Sequence, residues 1–225
     1  MEPEPGKMRA VKSRRYIQDL IEEGEHDRQD FKFQISDARK IARSMSAFAN
    51  NGGGRLLVGV KDNGRIAGVR SDEEIYMIEL AATTYCDPPQ QVECKVYSVE
   101  GKTVLKVDIP RCDHPPVRAK DDDGQWRAYY RVADENIAAS PLQMAVWENE
   151  NTALTITGSE QALIDFVSRN GNATLRQYMT MAHLTRAAAE ASVVAMCRMG
   201  ALRLDYVDGQ CVITAPASGG HPQKA

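Results

Sequence analysis

Apolar residues recur along this chain in two rhythms, one of three to four residues and one of two. Tyr16, Ile17, Leu20 and Ile21 lie at helical spacing, and Gly24 ends that run. Phe31, Phe33 and Ile35 then alternate with Lys32 and Gln34, which predicts a short strand. Ser36 is placed to cap a helix whose stripe is Ile41, Met45, Phe48 and Ala49, ended by the glycines at 52–54. RLLVGV reads as a compact apolar strand. Asn63-Gly64 predicts a two-residue hairpin turn, with residues 65–69 returning as a strand. Ser71 and Glu74 have capping-box spacing for a helix carrying Ile75, Ile78, Ala82 and Tyr85, which Pro88-Pro89 stops. A second hairpin is predicted about Glu100-Gly101. Residues 126–132 form a further strand after an acidic turn, and Ser140-Pro141 opens a helix through Trp147.

Beyond residue 150 the pattern changes. Residues 151–157 read as a linker, and residues 1–12 and 217–225 as flexible tails. Residues 158–216 carry three amphipathic helical stretches followed by two short strands about Asp208-Gly209. Three helices and a hairpin are the winged-helix pattern, with the third helix in the recognition position. The expected architecture is therefore α+β: a mixed-sheet domain over 13–150 and a small winged-helix domain over 158–216.

Composition narrows the function classes. A chain of 225 residues that is 43% hydrophobic can bury real cores in one or two domains. No apolar run approaches the roughly 18 residues of a membrane span, and the first residues lack the apolar core of a secretory signal. Cys86, Cys94, Cys112, Cys197 and Cys211 form an odd, scattered set without a CxxC pair, as expected of free thiols in a reducing compartment. The expectation is a soluble cytoplasmic protein with no membrane partner. A net charge of -3 offers nucleic acid no global attraction, so any such contact must be local. Lys7, Arg9, Lys12, Arg14 and Arg15 form a basic cluster that reads first as a solvated arm.

The strongest local signal is AFANNGGGRLLVGVKDNGRIAG, residues 47–68. Glycine-rich loops can wrap phosphates with backbone N–H groups. These glycines, however, follow a helix C-terminus, the negative end of its dipole, and no GxxxxGK[ST] occurs. From the residues alone, a C-cap that lets a helix pack closely on a strand explains them. Tyr129, Tyr130 and Trp126 could stack on bases, but neighbours on a strand face opposite ways, so at least one of the tyrosines belongs to the core.

The strings GEHDRQDFKF, AFANNGGGRLLVGVKDNGRIAGV, VDIP with the later Pro115, and YYRVADENIAAS occur in that order between Glu25 and Ser140. Together they resemble the Schlafen-type AlbA-like domain, labelled DNA-binding or, in an older naming, a divergent ATPase domain. With the downstream helices, the chain is similar to bacterial forms from the Bacteroidetes group. The resemblance implies an AlbA-like mixed-sheet fold and three classes of function. The first is a nucleic-acid-binding protein, a transcriptional regulator or accessory factor that contacts DNA or RNA as a homodimer. The second is a nuclease, since relatives with endoribonuclease activity hold Mn²⁺ or Mg²⁺ on three carboxylates. Glu25 and Asp30 stand in the E-x4-E positions, the second shortened to aspartate, and Asp62 is the candidate third ligand. The third is an ATP-binding sensor using Asn50, Gly52, Gly53 and Gly54. An enzyme is the less favoured reading. Structural alternatives stand beside these roles: Asp62 is a stock turn residue, and Asp30 can pair with Lys32 or Arg55.

For nucleic-acid contact the candidates are Lys32, Arg55, Lys61, Arg65 and Arg131 in the first domain, and Thr185, Arg186 and Arg203 in the second. Arginine is favoured because its planar fork binds two phosphate oxygens at once. The plain alternative for each is a solvated or ion-paired side chain.

Overall fold

A computed structural model describes residues 14–69, 72–148 and 156–216. Several sequence features lie outside the described residues: Lys7, Arg9 and Lys12 of the basic cluster, the cap residue Ser71, most of the 151–157 linker, and the 217–225 tail. The chain divides into two compact units at Ala139/Ser140. Helix 141–148, which the sequence reading gave to the first domain, therefore goes with the second.

In the first unit the order is α1 (Arg14–Glu22), β1 (Gln29–Lys32), α2 (Ala38–Asn50), β2 (Gly54–Val58), α3 (Glu73–Thr84), β3 (Cys86–Asp87), β4 (Glu93–Val99), β5 (Lys102–Ile109), β6 (Arg118–Lys120), β7 (Trp126–Val132) and β8 (Glu135–Ala138). The described strands form one sheet in the order β1-β2-β5-β4 and another in the order β3-β6-β7-β8. Only β1 and β2 run parallel in the first sheet, which makes it mixed. The unit is α+β.

Helix α2 lies at the centre. Its stripe of Ile41, Met45, Phe48 and Ala49 packs with Leu56, Val58, Leu105 and Val107 from the first sheet and Ala119 and Tyr129 from the second. Helix α1 covers the other face of the first sheet, where Ile17 and Leu20 meet Phe31, Leu57, Val99 and Val104. Strand β2 is thus buried on both faces, which is why its sequence is a continuous apolar run without alternation.

Three local readings change. Asp37, not Ser36, caps α2, its carboxylate accepting from the Arg39 N–H at 2.9 Å. Residues 65–69 do not form a strand: Val60 and Ile66 make a single bridge, and β5 takes the edge of β2 that a hairpin would have used. Of the Asn63-Gly64 pair only Gly64 has a positive φ, and the Arg65 N–H bonds the Asn63 side chain, so the turn is not the doubly left-handed kind. The Glu100-Gly101 turn does have φ of 53° and 76°, and it joins β4 to β5 as predicted.

The second unit holds α4 (Pro141–Glu148), α5 (Gly158–Asn170), β9 (Asn172–Ala173), α6 (Leu175–Ala182), α7 (Arg186–Arg198), β10 (Arg203–Val207) and β11 (Gln210–Thr214). The hairpin β10–β11 turns at Asp208 and Gly209, and β9 adds to it in the order β10-β11-β9. Leu163, Val167, Tyr178, Val193, Met196, Leu204 and Ile213 form the core. Glu160 closes a capping box with Thr157 and also accepts from Ser192, which bonds the Tyr178 hydroxyl at 2.8 Å. One carboxylate therefore ties the start of α5 to α7 and, through Ser192, to α6.

Candidate nucleic-acid interface

The glycine-rich loop is first of all a packing device. The Asn51 and Gly53 N–H groups both bond the Phe48 carbonyl, at 3.0 and 2.8 Å, so those amides are occupied in capping α2. A Cβ on Gly54 would fall 2.2 Å from the Phe48 ring. One on Gly53 would meet the Ile109 carbonyl and the Arg111 amide at 3.0 Å. Asn50 is engaged throughout: its amide donates to the carbonyls of Val117 (2.8 Å) and Tyr129 (3.0 Å), and its oxygen accepts from the Val117 N–H at 2.7 Å. It stitches the end of α2 to the second sheet. Neither Asn50 nor the two occupied amides are available to hold a nucleotide.

The carboxylates behave differently from one another. Asp30 on β1 is 3% exposed. Its Oδ1 accepts from Arg131 at 3.2 Å, while Lys32 Nζ lies 2.5 Å from Oδ2 in an ion pair without hydrogen-bond alignment. Glu25 accepts the Phe31 N–H at 2.8 Å. Burial, and then contact with Asp30, push its carboxyl above the ordinary glutamate value. Two of the three candidate ligands therefore meet. Asp62 sits exposed in the 61–64 turn, and no three His, Cys, Asp or Glu side chains among the described residues converge on a point that could hold a metal. A divalent cation would also have to displace Lys32 and Arg131 from Asp30. The residues present do not fit Mg²⁺ or Mn²⁺ on three carboxylates.

Arg131 is the clearest correction. It is 2% exposed, pairs with Asp30, donates to Asn136 at 2.9 Å, and lies 4.9 Å from the Phe48 ring centroid. A side chain so enclosed cannot reach a phosphate, and it serves instead to join β7 to β1. Arg55 is also engaged, with Gln29 at 2.6 Å and with the Glu23 carboxylate. Gln29, fully buried and donating to the Leu20 and Gly24 carbonyls, is an anchor that sequence reasoning passed over. Lys61 and Arg65 are exposed, with the Lys61 ammonium 5.1 Å from the Phe33 ring centroid. Tyr129 belongs to the core, whereas Trp126 stays exposed under the Lys120 ammonium.

In the second unit Thr185 caps α7, its hydroxyl accepting from the Ala188 N–H. The Arg186 side chain is 73% exposed and paired with Glu190 at 2.8 Å. Ala187 and Ala188 beside it are exposed too, so small side chains leave the start of α7 open. Arg203 pairs with Asp205 and Thr214 on the hairpin.

Sequence reasoning also missed Arg28 and Arg111. Both line a recess of about 280 Å³ with Gly52–Gly54, Arg55, Asp108, Ile109 and Pro110. The only sequence signal was position, Arg28 directly before β1 and Arg111 two residues after β5.

Residues 25–140 match the family described as Schlafen, AlbA_2, which covers nearly all of the first unit past α1. The DIP2311 protein from Corynebacterium diphtheriae aligns at 21% identity and a TM-score of 0.42, over 79% of this chain and 33% of that one. This chain thus spans about a third of that protein. The N-terminal domain of a RecG-related protein from Nitrosomonas europaea aligns at 24% identity and a TM-score of 0.42, over 64% of this chain and 96% of that one. No curated protein matches.

Proposed function

Because the chain belongs to the Schlafen, AlbA_2 family, we propose that it is a nucleic-acid-binding protein, a transcriptional regulator or accessory factor of the cytoplasm that acts as a homodimer. In this reading the second unit is a winged helix whose α7 enters a groove, and the exposed cations of the first unit meet phosphates. The observation that carries it is the start of α7. A capped helix N-terminus is open to solvent, flanked by alanines, and presents a 73% exposed arginine. Helix N-termini attract phosphate through free N–H groups and the helix dipole. Small neighbours allow close approach.

Fluorescence anisotropy against labelled duplex DNA and structured RNA tests this. Arg186→Ala should weaken binding roughly tenfold and reduce the salt slope by about one. It should leave stability within about 0.5 kcal/mol, because an exposed i,i+4 ion pair contributes no more. Unchanged binding by that variant would remove α7 from the interface.

A further inference from the structure

We propose that the recess beside the glycine-rich loop is a seat for a phosphate group, gripped by Arg28 and Arg111 and not by the loop's own amides. This rests on the nucleic-acid reading only for the source of the phosphate. Among the lining residues Arg28, Arg55 and Arg111 stand against one carboxylate, Asp108. Arg55 is neutralised by Glu23 and Asp108 by Lys106. Arg28 and Arg111 are exposed, and their guanidinium groups have no hydrogen-bond or ion-pair partner among the described residues. Two uncompensated positive charges thus border one recess.

The floor is what makes the recess accessible. Gly52 and Gly53 line it without side chains, and a Cβ on Gly52 would lie in contact with Arg28 Nη2 at 3.4 Å. Gly52 therefore leaves bare backbone beside the Arg28 guanidinium. A volume of about 280 Å³ admits a phosphate and part of its sugar, and is too small to enclose a whole nucleoside triphosphate. Planar guanidinium groups bind phosphate through two parallel hydrogen bonds, so paired arginines give orientation as well as charge. The ligand class is a phosphodiester of a nucleic-acid backbone or a phosphomonoester.

The full chain, the Arg28→Gln/Arg111→Gln double variant and the Arg28→Lys/Arg111→Lys double variant are compared in two measurements. Thermal unfolding is followed in inorganic phosphate against chloride at matched ionic strength, and anisotropy with a labelled oligonucleotide is followed across a salt series. Phosphate should raise the melting temperature of the native chain and not that of the Gln variant. Oligonucleotide affinity should fall at least tenfold in the Gln variant, with the salt slope reduced by about two. The Lys variant should recover the slope and only part of the affinity, because charge returns without the fork. Oligonucleotide binding and phosphate stabilisation both unchanged in the Gln variant overturn the seat and leave the nucleic-acid reading standing, whereas loss of the phosphate stabilisation alone assigns the seat to a phosphomonoester. A phosphate-dependent shift without any oligonucleotide binding supports the seat, for a phosphomonoester, and overturns the nucleic-acid reading. Absence of both effects overturns both.

Discussion

Gly54→Ala isolates the role of the glycine-rich loop in packing. Gly54 has no left-handed φ, so alanine meets no backbone penalty there, and on strand propensity alone the change would stabilise. The new methyl, however, would lie 2.2 Å from one Phe48 ring carbon and 2.7 Å from two others. Carbon atoms rest about 3.5–4.0 Å apart, so the ring or the strand must move by more than 1 Å. Phe48 is fully buried and also holds Arg131 at 4.9 Å, so it has nowhere to retreat without disturbing the Asp30–Arg131 pair. Overpacking of this size costs about 3 kcal/mol, a fall of roughly 10 °C in melting temperature for a unit this large. In a Phe48→Leu background the clash is relieved, and Gly54→Ala should add less than about 1 kcal/mol, a coupling of some 2 kcal/mol. Urea unfolding is followed through Trp126 fluorescence in a Trp147→Phe background, which reports the first unit alone. A Gly54→Ala loss below about 0.5 kcal/mol, or strict additivity with Phe48→Leu, would refute the packing account.

Asn50→Ala should destabilise the first unit by about 2–3 kcal/mol, because the Val117 N–H and the Tyr129 carbonyl lose its side chain while Ser46 still bonds the Val117 carbonyl; the same urea titration measures it. Arg131→Met should cost about 3–5 kcal/mol by leaving Asp30 short of a charge partner. Folded at low temperature, it should nonetheless bind oligonucleotides with an unchanged salt slope, and a reduced slope would return Arg131 to the interface. Glu25, its carboxyl raised by burial and by Asp30, should titrate above its ordinary value in carbon-13 NMR. Its raised value adds stability in full below the unfolded value, and that contribution is lost as pH rises through the folded one. Glu25→Gln should therefore flatten the decline of stability between acid and neutral pH, and a native profile already flat there would contradict this.

Much of the fold was legible because it rests on local chemistry. The Glu100-Gly101 turn, the α2 stripe and the Ser140-Pro141 start of α4 each follow from short-range rules, and each is present. What could not be read depended on distant partners. Residues 65–69 lost their expected place because β5, some forty residues on, pairs with β2, and the Val69 N–H bonds Thr103 instead. Arg131 and Arg186 look alike in the sequence, yet one is enclosed by Asp30, Phe48 and Asn136 while the other stands in solvent. Burial is set by the tertiary contacts of α2 and β7, which no local pattern encodes. Arg28 and Arg111 stayed hidden for the same reason: 83 positions separate them, and only the pairing of β2 with β1 and β5 brings both to the glycine loop.

The most direct test of the central claim is the salt dependence of binding by the full chain to labelled duplex DNA and structured RNA. The account predicts binding at about 50 mM salt whose logarithm falls linearly with the logarithm of salt, with a slope of several, as phosphates displace counterions. Failure to bind either nucleic acid at that salt would contradict it.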